Sequence, residues 1–123
     1  MIFETHAHYD DKMFDEDRES LLESMQEAGI GRIVNIGADL ASTASSIALA
    51  EKYPFIYAAA GVHPSDAAQL NEHTFQWLSE QTAHEKVVAV GEIGLDYYWE
   101  KDPEVRANQR YWFRRQLNLA REK

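Results

Sequence analysis

The sequence contains no cysteine, only three prolines among 123 residues, and no long apolar run. Without cysteine, disulfides and the thiolate zinc sites of fingers and ribbons are excluded, so any metal must be bound by histidine and carboxylate side chains. No apolar stretch approaches the ~20 residues of a membrane span. Glu4 and two histidines stand where a signal peptide needs a basic start and an apolar core. We therefore expect a soluble, cytoplasmic protein with no membrane partner.

The residues that are present suit one globular domain, or part of one, over residues 1–123. Hydrophobic residues make up 45% of the chain and aromatic residues 11%, which is enough for a core of ordinary size. The formal net charge is −9, and an acidic surface repels phosphate backbones. A nucleic-acid substrate would therefore require bound cations to neutralise its phosphates locally.

Short apolar segments alternate with amphipathic segments along the whole chain. The pattern predicts strands, each buried and apolar, at 1–3, 32–36, 55–60 and 86–90, and helices at 15–28, 39–52, 71–82 and 102–123. The apolar face of the last helix is expected to comprise Val105, Trp112, Phe113, Leu117 and Ala120. Apolar strands alternating with amphipathic helices predict an α/β fold with a parallel sheet and helical crossovers.

A pair of histidines, His6 and His8, follows the first predicted strand. Residues i and i+2 of an extended chain point to the same face, so both imidazoles would converge on one point beyond the strand. Two neutral imidazoles in this arrangement form half of a metal site. Taken alone, the pair has an ordinary alternative, because many His-x-His sequences are surface coincidences.

Two further strands end in residues of the same chemical kind. His63 follows the third strand within Gly-Val-His-Pro, and Glu92 follows the fourth. A rigid turn and a helix-capping carboxylate are the ordinary explanations of these two features. The carboxyl ends of parallel strands, however, meet at one edge of the sheet, where ligands bind. Jointly, the residues favour a functional site. The neighbouring aromatic residues 97–99 are either ordinary packing or a wall against which a base stacks.

Three motifs extend this pattern: Phe3-x-Thr5-His6-x-His8, Gly61-Val62-His63-Pro64 and Gly91-Glu92-Ile93-Gly94-Leu95-Asp96-Tyr97-Tyr98, followed by Gln116-Leu117-x-Leu119-Ala120. In order and spacing, they resemble the TatD-family metal-dependent deoxyribonucleases. The resemblance covers essentially the whole chain. It implies a TIM-barrel (β/α)8 fold of the amidohydrolase superfamily and hydrolysis of DNA with divalent cations.

The resemblance also implies roles for individual residues. His6 and His8 would bind a first metal ion, and Glu92 would bridge it to a second, the pair of ions being Mg²⁺, Mn²⁺ or Zn²⁺. His63 would act as a catalytic and substrate-binding residue that contacts the substrate phosphate or a metal-bound water. Two cations of this kind would hold the scissile phosphate of a single-stranded DNA substrate. No role is assigned to Asp96.

Members of this family are roughly twice as long as this chain, and their later ligands, two histidines and an aspartate, have no counterpart here. The resemblance therefore implies a half-barrel that contains about the first four βα units. Such a half exposes unpaired strand edges. We expect a fragment that is weakly active or inactive alone, and that pairs with a C-terminal half-barrel or with itself.

Two other functions are compatible with the same residues. The first is a metal-dependent amidohydrolase or phosphotriesterase, because these enzymes share the barrel and the leading His-x-His. The second is a non-catalytic, truncated module that retains the ligands and self-associates through its open flank. Glu92 as a bridging carboxylate and the Gly-Val-His-Pro segment favour the nuclease.

Overall fold

A computed structural model describes all 123 residues, and strands alternate with helices throughout. The strands are β1 (Ile2–Ala7), β2 (Ile30–Ile36), β3 (Ile56–Ala60) and β4 (Val87–Val90), and the helices are α1 (Arg18–Glu23), α2 (Leu40–Lys52), α3 (Glu72–Gln81) and α4 (Pro103–Glu122). Two 3₁₀ segments occur, one of three residues at Lys12–Phe14 and one of six residues at Pro64–Gln69. The predicted α/β fold with four βα units is confirmed.

The four strands form one parallel sheet in the order β1-β2-β3-β4. The central pair, β2 and β3, is in regular register from Ile33–Ile56 to Ile36–Ala59. Both outer pairs contain register shifts. Such irregularities increase the local twist and bend of a sheet. The order places β1 and β4 at the two edges.

The main core lies between the sheet and its helices. One cluster joins α1 and α2 to strands β1, β2 and β3, and a second joins α3 and α4 to the end of β3. The largest fully buried apolar side chains are Leu22, Ile33, Ile56, Leu78 and Val62. The opposite face of the sheet carries a smaller cluster of Val34, Ile36 and Ala59. No helix combines the length and the apolar character that crossing a bilayer requires.

The helix predicted at 15–28 is wrong in both bounds, because α1 covers only Arg18–Glu23. The Arg18 guanidinium donates to the carbonyl oxygens of Tyr9, Asp10 and Asp11, and these bonds hold the preceding segment in a loop. At the other end, the chain turns towards β2 through Gly29, whose φ of 92° is a conformation that glycine adopts without strain.

The edge strands are more exposed than the sequence predicts. The strand at 1–3 is predicted to be buried, but Ile2 and Phe3 are 58% and 56% exposed, and Val88 on β4 is 55% exposed. An edge strand lacks a neighbour on one side, so apolar residues alone do not make it buried. Only β2 and β3, the two inner strands, have the burial expected of a parallel sheet.

The buried face of α4 also differs from the predicted one. Leu117 is 46% exposed and Ala120 is exposed, whereas Gln109, Trp112, Gln116 and Leu119 are buried. The prediction fails because it seeks apolar residues only, and two of the four buried positions carry amides. Trp112 lies where the apolar pattern predicts it.

Candidate metal centre

The two histidines at the end of β1 face each other. His6 and His8 lie two residues apart in nearly extended backbone, which directs both side chains to one face. Their Nε2 atoms are 3.2 Å apart, and their rings meet edge to face with centroids 5.0 Å apart. The side chains are 53% and 42% exposed. The pair is therefore accessible to a ligand from solvent.

Glu92, which follows β4, brings a carboxylate to this pair. Its Oε2 atom lies 3.6 Å from His6 Nε2 and 3.8 Å from His8 Nε2. One ligand atom from each of the three residues lies within 4.8 Å of the others. In a flat sheet, β1 and β4 would be about 14 Å apart, which is three strand spacings. The three side chains therefore meet because the sheet curves and because each side chain reaches inward.

A backbone hydrogen bond orients the ring of His8. Its Nδ1 atom is 3.1 Å from the carbonyl oxygen of Ile36 at the end of β2. A carbonyl oxygen only accepts, so Nδ1 donates the proton, and Nε2 of the neutral ring retains its lone pair. Histidines that bind metals are commonly oriented by a bond of this kind. The Nε2 atom that faces Glu92 can therefore ligate a cation.

His63 lies beside the same carboxylate but has the opposite tautomer. Its Nδ1 atom accepts a hydrogen bond from the backbone N–H of Ser65 at 3.0 Å. The neutral ring therefore carries its proton on Nε2, 3.9 Å from Glu92 Oε1. All four residues that the sequence places in the site lie close together, but His63 is not among the three whose ligand atoms converge. It presents a hydrogen-bond donor to the site.

Asp96 lies outside the converging group. Its Oδ1 atom accepts a hydrogen bond from the backbone N–H of Tyr98 at 3.1 Å. Its own backbone is paired with the Gln109 side chain, with the N–H donating to Oε1 at 2.9 Å and the carbonyl accepting from Nε2 at 3.0 Å. Asp96 is therefore part of the loop that follows Glu92 and is not a ligand of the cluster.

The loop after His8 is held by a buried asparagine. The Asn35 side chain is fully buried. It accepts a hydrogen bond from the Tyr9 N–H at 2.7 Å, and it donates to Asp10 Oδ1 and Ser46 Oγ at 2.9 and 2.8 Å. Burial, with the charge of Glu4 as a second cause, raises the pKa of the Tyr9 phenol above its ordinary value. The segment that leaves the histidine pair thus has a fixed path.

Buried polar side chains also hold the strand ends that carry His63 and Glu92. Gln116 accepts from the Val62 N–H at 2.8 Å and donates to the Val62 carbonyl at 3.2 Å. Gln109 holds Asp96 in the same manner, and Thr43 exchanges hydrogen bonds with the Gly61 backbone. None of these residues has a supporting role in the sequence analysis, although Gln116 stands in the last segment of the family resemblance. Gln109 is detectable only as a polar position on the same helix face as Trp112.

The absence of a side chain at Gly61 allows the chain after β3 to touch the chain after β4. A Cβ atom on Gly61 would lie 2.6 Å from the carbonyl carbon and oxygen of Gly91. The Gly91 N–H donates to the Ala60 carbonyl at 3.0 Å, and the Glu92 N–H donates to the Gly37 carbonyl at 2.6 Å. The peptide bond between Gly91 and Glu92 is cis. The backbone of Glu92 is therefore placed by direct contact with neighbouring strand ends.

Comparison with known proteins shows which family this chain resembles in sequence. The family model described as "TatD related DNase" matches residues 3–123. The "Uncharacterized metal-dependent hydrolase YabD" of Bacillus subtilis is 43% identical over 122 residues, covering 99% of this chain and 47% of the relative. The "3'-5' ssDNA/RNA exonuclease TatD" of Cronobacter sakazakii is 31% identical over 98% of this chain and 45% of the relative.

Solved structures agree with the sequence matches. The crystal structure of YJJV, a TatD homolog from Escherichia coli K12, superposes with a TM-score of 0.85 at 35% identity, covering 98% of this chain and 47% of that one. A TatD-family hydrolase from Entamoeba histolytica has the same TM-score at 24% identity, which shows the fold alone. The chain spans about half the length of the curated relatives that it matches.

Proposed function

The chain belongs to the TatD related DNase family, and from that premise we propose that it is the N-terminal part of a metal-dependent hydrolase that cleaves phosphodiester bonds of single-stranded DNA. Its fold is the α/β fold of the TatD TIM barrels, of which its four βα units form about half. The observation that carries the proposal is the convergence of His6, His8 and Glu92 at one end of the sheet.

The donor set fits a divalent cation. Two imidazole nitrogens and a carboxylate are ligands that Zn²⁺ and Mn²⁺ accept, and Mg²⁺ is bound mainly through the carboxylate. His6, His8 and Glu92 would hold one ion, and the second oxygen of Glu92 is available to a second ion. When bound, such cations supply charge stabilisation for a phosphodiester and lower the pKa of water for its attack. They would also offset the formal charge of −9, which repels a nucleic acid.

We propose that His63 is a catalytic and substrate-binding residue. It would donate a hydrogen bond from its Nε2–H instead of offering a lone pair to a metal ion. Its Nε2–H is directed by the Ser65 N–H bond at Nδ1. A donor beside Glu92 is suited to an oxygen of the substrate phosphate, where negative charge accumulates during hydrolysis. The tautomer supports this role over direct metal binding.

We propose that residues 1–123 are the N-terminal part of a single hydrolase domain. The relatives contain about as many residues again beyond the matched region, and β1 and β4 lack outer neighbours here. A C-terminal half-barrel would pair with these edges and add further ligands. On this proposal, the chain alone binds a cation but turns over DNA weakly or not at all.

The names of the relatives support phosphodiester hydrolysis over the reaction of an amidohydrolase or phosphotriesterase. Several relatives are named as single-stranded DNA and RNA exonucleases, and the family model that matches the chain is described as a DNase. A non-catalytic module remains the outcome to expect if the chain binds a cation but hydrolyses no substrate.

The test combines metal titration with a nuclease assay. We expect the chain to bind Mn²⁺ in isothermal titration calorimetry, and we expect Glu92→Gln to weaken that binding by at least about tenfold, because the carboxylate charge is lost. Release of nucleotides from single-stranded DNA, where detectable, should disappear in the same variant. Glu85→Gln, an exposed carboxylate on the turn before β4, is the matched control. Unchanged Mn²⁺ affinity in Glu92→Gln would contradict the proposed site.

A further inference from the structure

Two exposed aromatic side chains stand on the loop that follows Glu92. Tyr98 and Trp99 are 73% and 80% exposed, and their rings meet edge to face with centroids 4.5 Å apart. Neither belongs to the apolar clusters that hold the sheet to its helices. Large aromatic faces presented to solvent beside a site are typical of surfaces that bind a planar or apolar ligand.

The loop that carries these rings is held firmly from below. Arg106 donates to the carbonyl oxygens of Glu100 and Tyr97 at 2.6 and 3.0 Å, and its guanidinium stacks over the Tyr97 ring at 4.5 Å. The Gln109 amide holds the backbone of Asp96 through two hydrogen bonds. Hydrogen bonds therefore hold the backbone on both sides of Trp99 while its side chain is exposed to solvent.

A cavity of about 180 Å³ lies beside Trp99. It separates the loop after Glu92 from the turn after His63, and its walls include Pro64, Ser65, Asp96, Trp99, Glu100 and Val105. Ser65 is also the residue whose N–H orients His63. The cavity is therefore lined by Ser65, which orients His63, the residue that is proposed to contact the substrate phosphate.

The chemistry of the walls distinguishes between possible ligands. Trp99, Pro64 and Val105 offer flat and apolar surfaces, on which a ring can stack. The carboxylates of Asp96 and Glu100 repel a phosphate but accept hydrogen bonds from an amino group, as carboxylates do from the N4 amine of cytosine. Asp96 uses one oxygen for the Tyr98 N–H, and Glu100 uses one for the Asp102 N–H, so each has a second oxygen available.

We infer that this cavity is a nucleobase subsite, in which a base that carries an exocyclic amine stacks on Trp99 while its phosphate lies towards His63 and the cation ligands. The inference rests on the proposed function, because it assigns a base position to the same substrate. It gives Asp96 a role in recognition of the base. The bound base would lie beside the carboxylates of Asp96 and Glu100, and the bound phosphate would lie beside the proposed cation.

Binding, rather than cleavage, provides the test. The full chain is titrated with fluorescein-labelled oligodeoxycytidine, with oligodeoxythymidine of equal length, and with an abasic oligonucleotide, and fluorescence anisotropy is recorded with Mg²⁺ present. We expect tighter binding of oligodeoxycytidine than of the abasic strand, and Trp99→Ala should weaken oligodeoxycytidine binding by about 5- to 100-fold. Trp99→Phe, which retains an aromatic face, should keep most of the affinity.

The same variants separate this inference from the proposed function. Trp99→Ala should leave binding of the abasic strand unchanged, whereas a merely structural role would weaken both. Asp96→Asn and Glu100→Gln together should reduce the preference for oligodeoxycytidine over oligodeoxythymidine. Unchanged oligodeoxycytidine binding in Trp99→Ala, or no binding by the wild type, would overturn the inference. Unchanged oligodeoxycytidine affinity in Trp99→Ala, with Mn²⁺ binding lost in Glu92→Gln, would overturn the subsite alone. Trp99-dependent binding of oligodeoxycytidine, with Mn²⁺ affinity unchanged in Glu92→Gln, would leave the subsite and contradict the proposed metal site.

Discussion

At the scale of single residues, backbone hydrogen bonds give two histidines of the site different chemical roles. His8 donates from Nδ1 to the Ile36 carbonyl, whereas His63 accepts at Nδ1 from the Ser65 N–H. A neutral imidazole has one proton to place, so each bond decides what Nε2 can do. The His8 Nε2 offers a lone pair and the His63 Nε2 offers a proton, although both residues are histidines.

This difference predicts unequal effects of substitution on metal binding. We expect His8→Ala to lower Mn²⁺ affinity by more than about tenfold, because it removes a proposed ligand atom, whose loss should exceed the effect of losing an orienting partner. His63→Ala should change Mn²⁺ affinity by less than about threefold, because its Nε2 is a donor. Isothermal titration calorimetry at neutral pH measures both. Equal losses in the two variants would show that His63 is a ligand.

At the scale of secondary-structure elements, the close approach of β3 and β4 determines where Glu92 lies. A Cβ atom on Gly61 would be 2.6 Å from the Gly91 carbonyl, whereas a Cβ atom on Gly91 would meet nothing within 4 Å. Gly61→Ala should therefore destabilise the fold by about 1–3 kcal/mol and weaken Mn²⁺ binding by displacing Glu92. Urea unfolding and calorimetry provide the two measurements.

Gly91→Ala is the matched control for that prediction, because the same methyl group is added on the other side of the contact. Its unfolding free energy should remain within about 1 kcal/mol of the wild type. If Gly61→Ala were as stable as Gly91→Ala and bound Mn²⁺ normally, the contact would not position the carboxylate.

An ion pair between α3 and α4 predicts a specific dependence on pH. Arg115 donates to both oxygens of Glu72, at 2.7 and 3.1 Å. These hydrogen bonds, together with the charge of Arg115 and the Tyr111 hydroxyl, hold the pKa of Glu72 below its ordinary value of 4.5. A carboxyl group whose pKa is lowered by folding stabilises the fold above its ordinary pKa, and that contribution is lost as the pH falls through the lowered value.

Glu72→Gln should therefore be less stable than the wild type at neutral pH, and the difference should shrink towards zero below about pH 4. Because the pair is exposed, the difference should also decrease at high salt. Urea unfolding across this pH range tests both statements, with Glu122→Gln on the exposed end of α4 as the control. A difference that grew on acidification would contradict the assigned direction of the pKa shift.

Much of the element order was predictable from the sequence, because apolar strands and helix-capping residues have local signals. Asp39, Asn71 and Asp102 cap α2, α3 and α4 close to the predicted starts. The burial of β1 and the inner face of α4 were not predictable from the same signals. Burial depends on which strands lie at the edges, and Gln109 and Gln116 are buried because their amides pair with distant backbone at Asp96 and Val62.

For the candidate site, too, some features were predictable from the sequence and others were not. The proximity of His6, His8, His63 and Glu92 follows from the rule that parallel strands end at one edge of the sheet. The tautomers of His8 and His63 do not follow from that rule, because they depend on single hydrogen bonds to Ile36 and Ser65. The roles of these residues as ligands and donor stay predictions until a metal titration is made.

At the scale of the whole molecule, the outer edges of β1 and β4 are left without a strand partner. Ile2 and Phe3 on β1 and Val88 on β4 are more than half exposed, and unpaired edges are templates for pairing with another chain. We expect concentration-dependent association in sedimentation velocity, or binding to a C-terminal half-barrel when one is supplied.

Val88→Lys should weaken that association, because a charged side chain on an edge strand disfavours pairing. Met13→Lys, at an exposed position on the 3₁₀ segment and in neither edge strand, should have no effect. A chain that sedimented as a monomer at every concentration, and that bound no C-terminal half, would show that these edges are not interfaces.

The two glutamines of α4 also bear on when, during synthesis, the site can bind a cation. A ribosome adds His6, His8, His63 and Glu92 before it adds α4, yet the amides of Gln109 and Gln116 on α4 hold the backbone beside Glu92 and His63. A nascent chain that lacks α4 therefore carries all the proposed ligands without the support that aligns them. Because metal binding and folding are coupled, cation uptake should follow the emergence of α4. Chains that lack α4 would then bind the metal more weakly than chains that contain it.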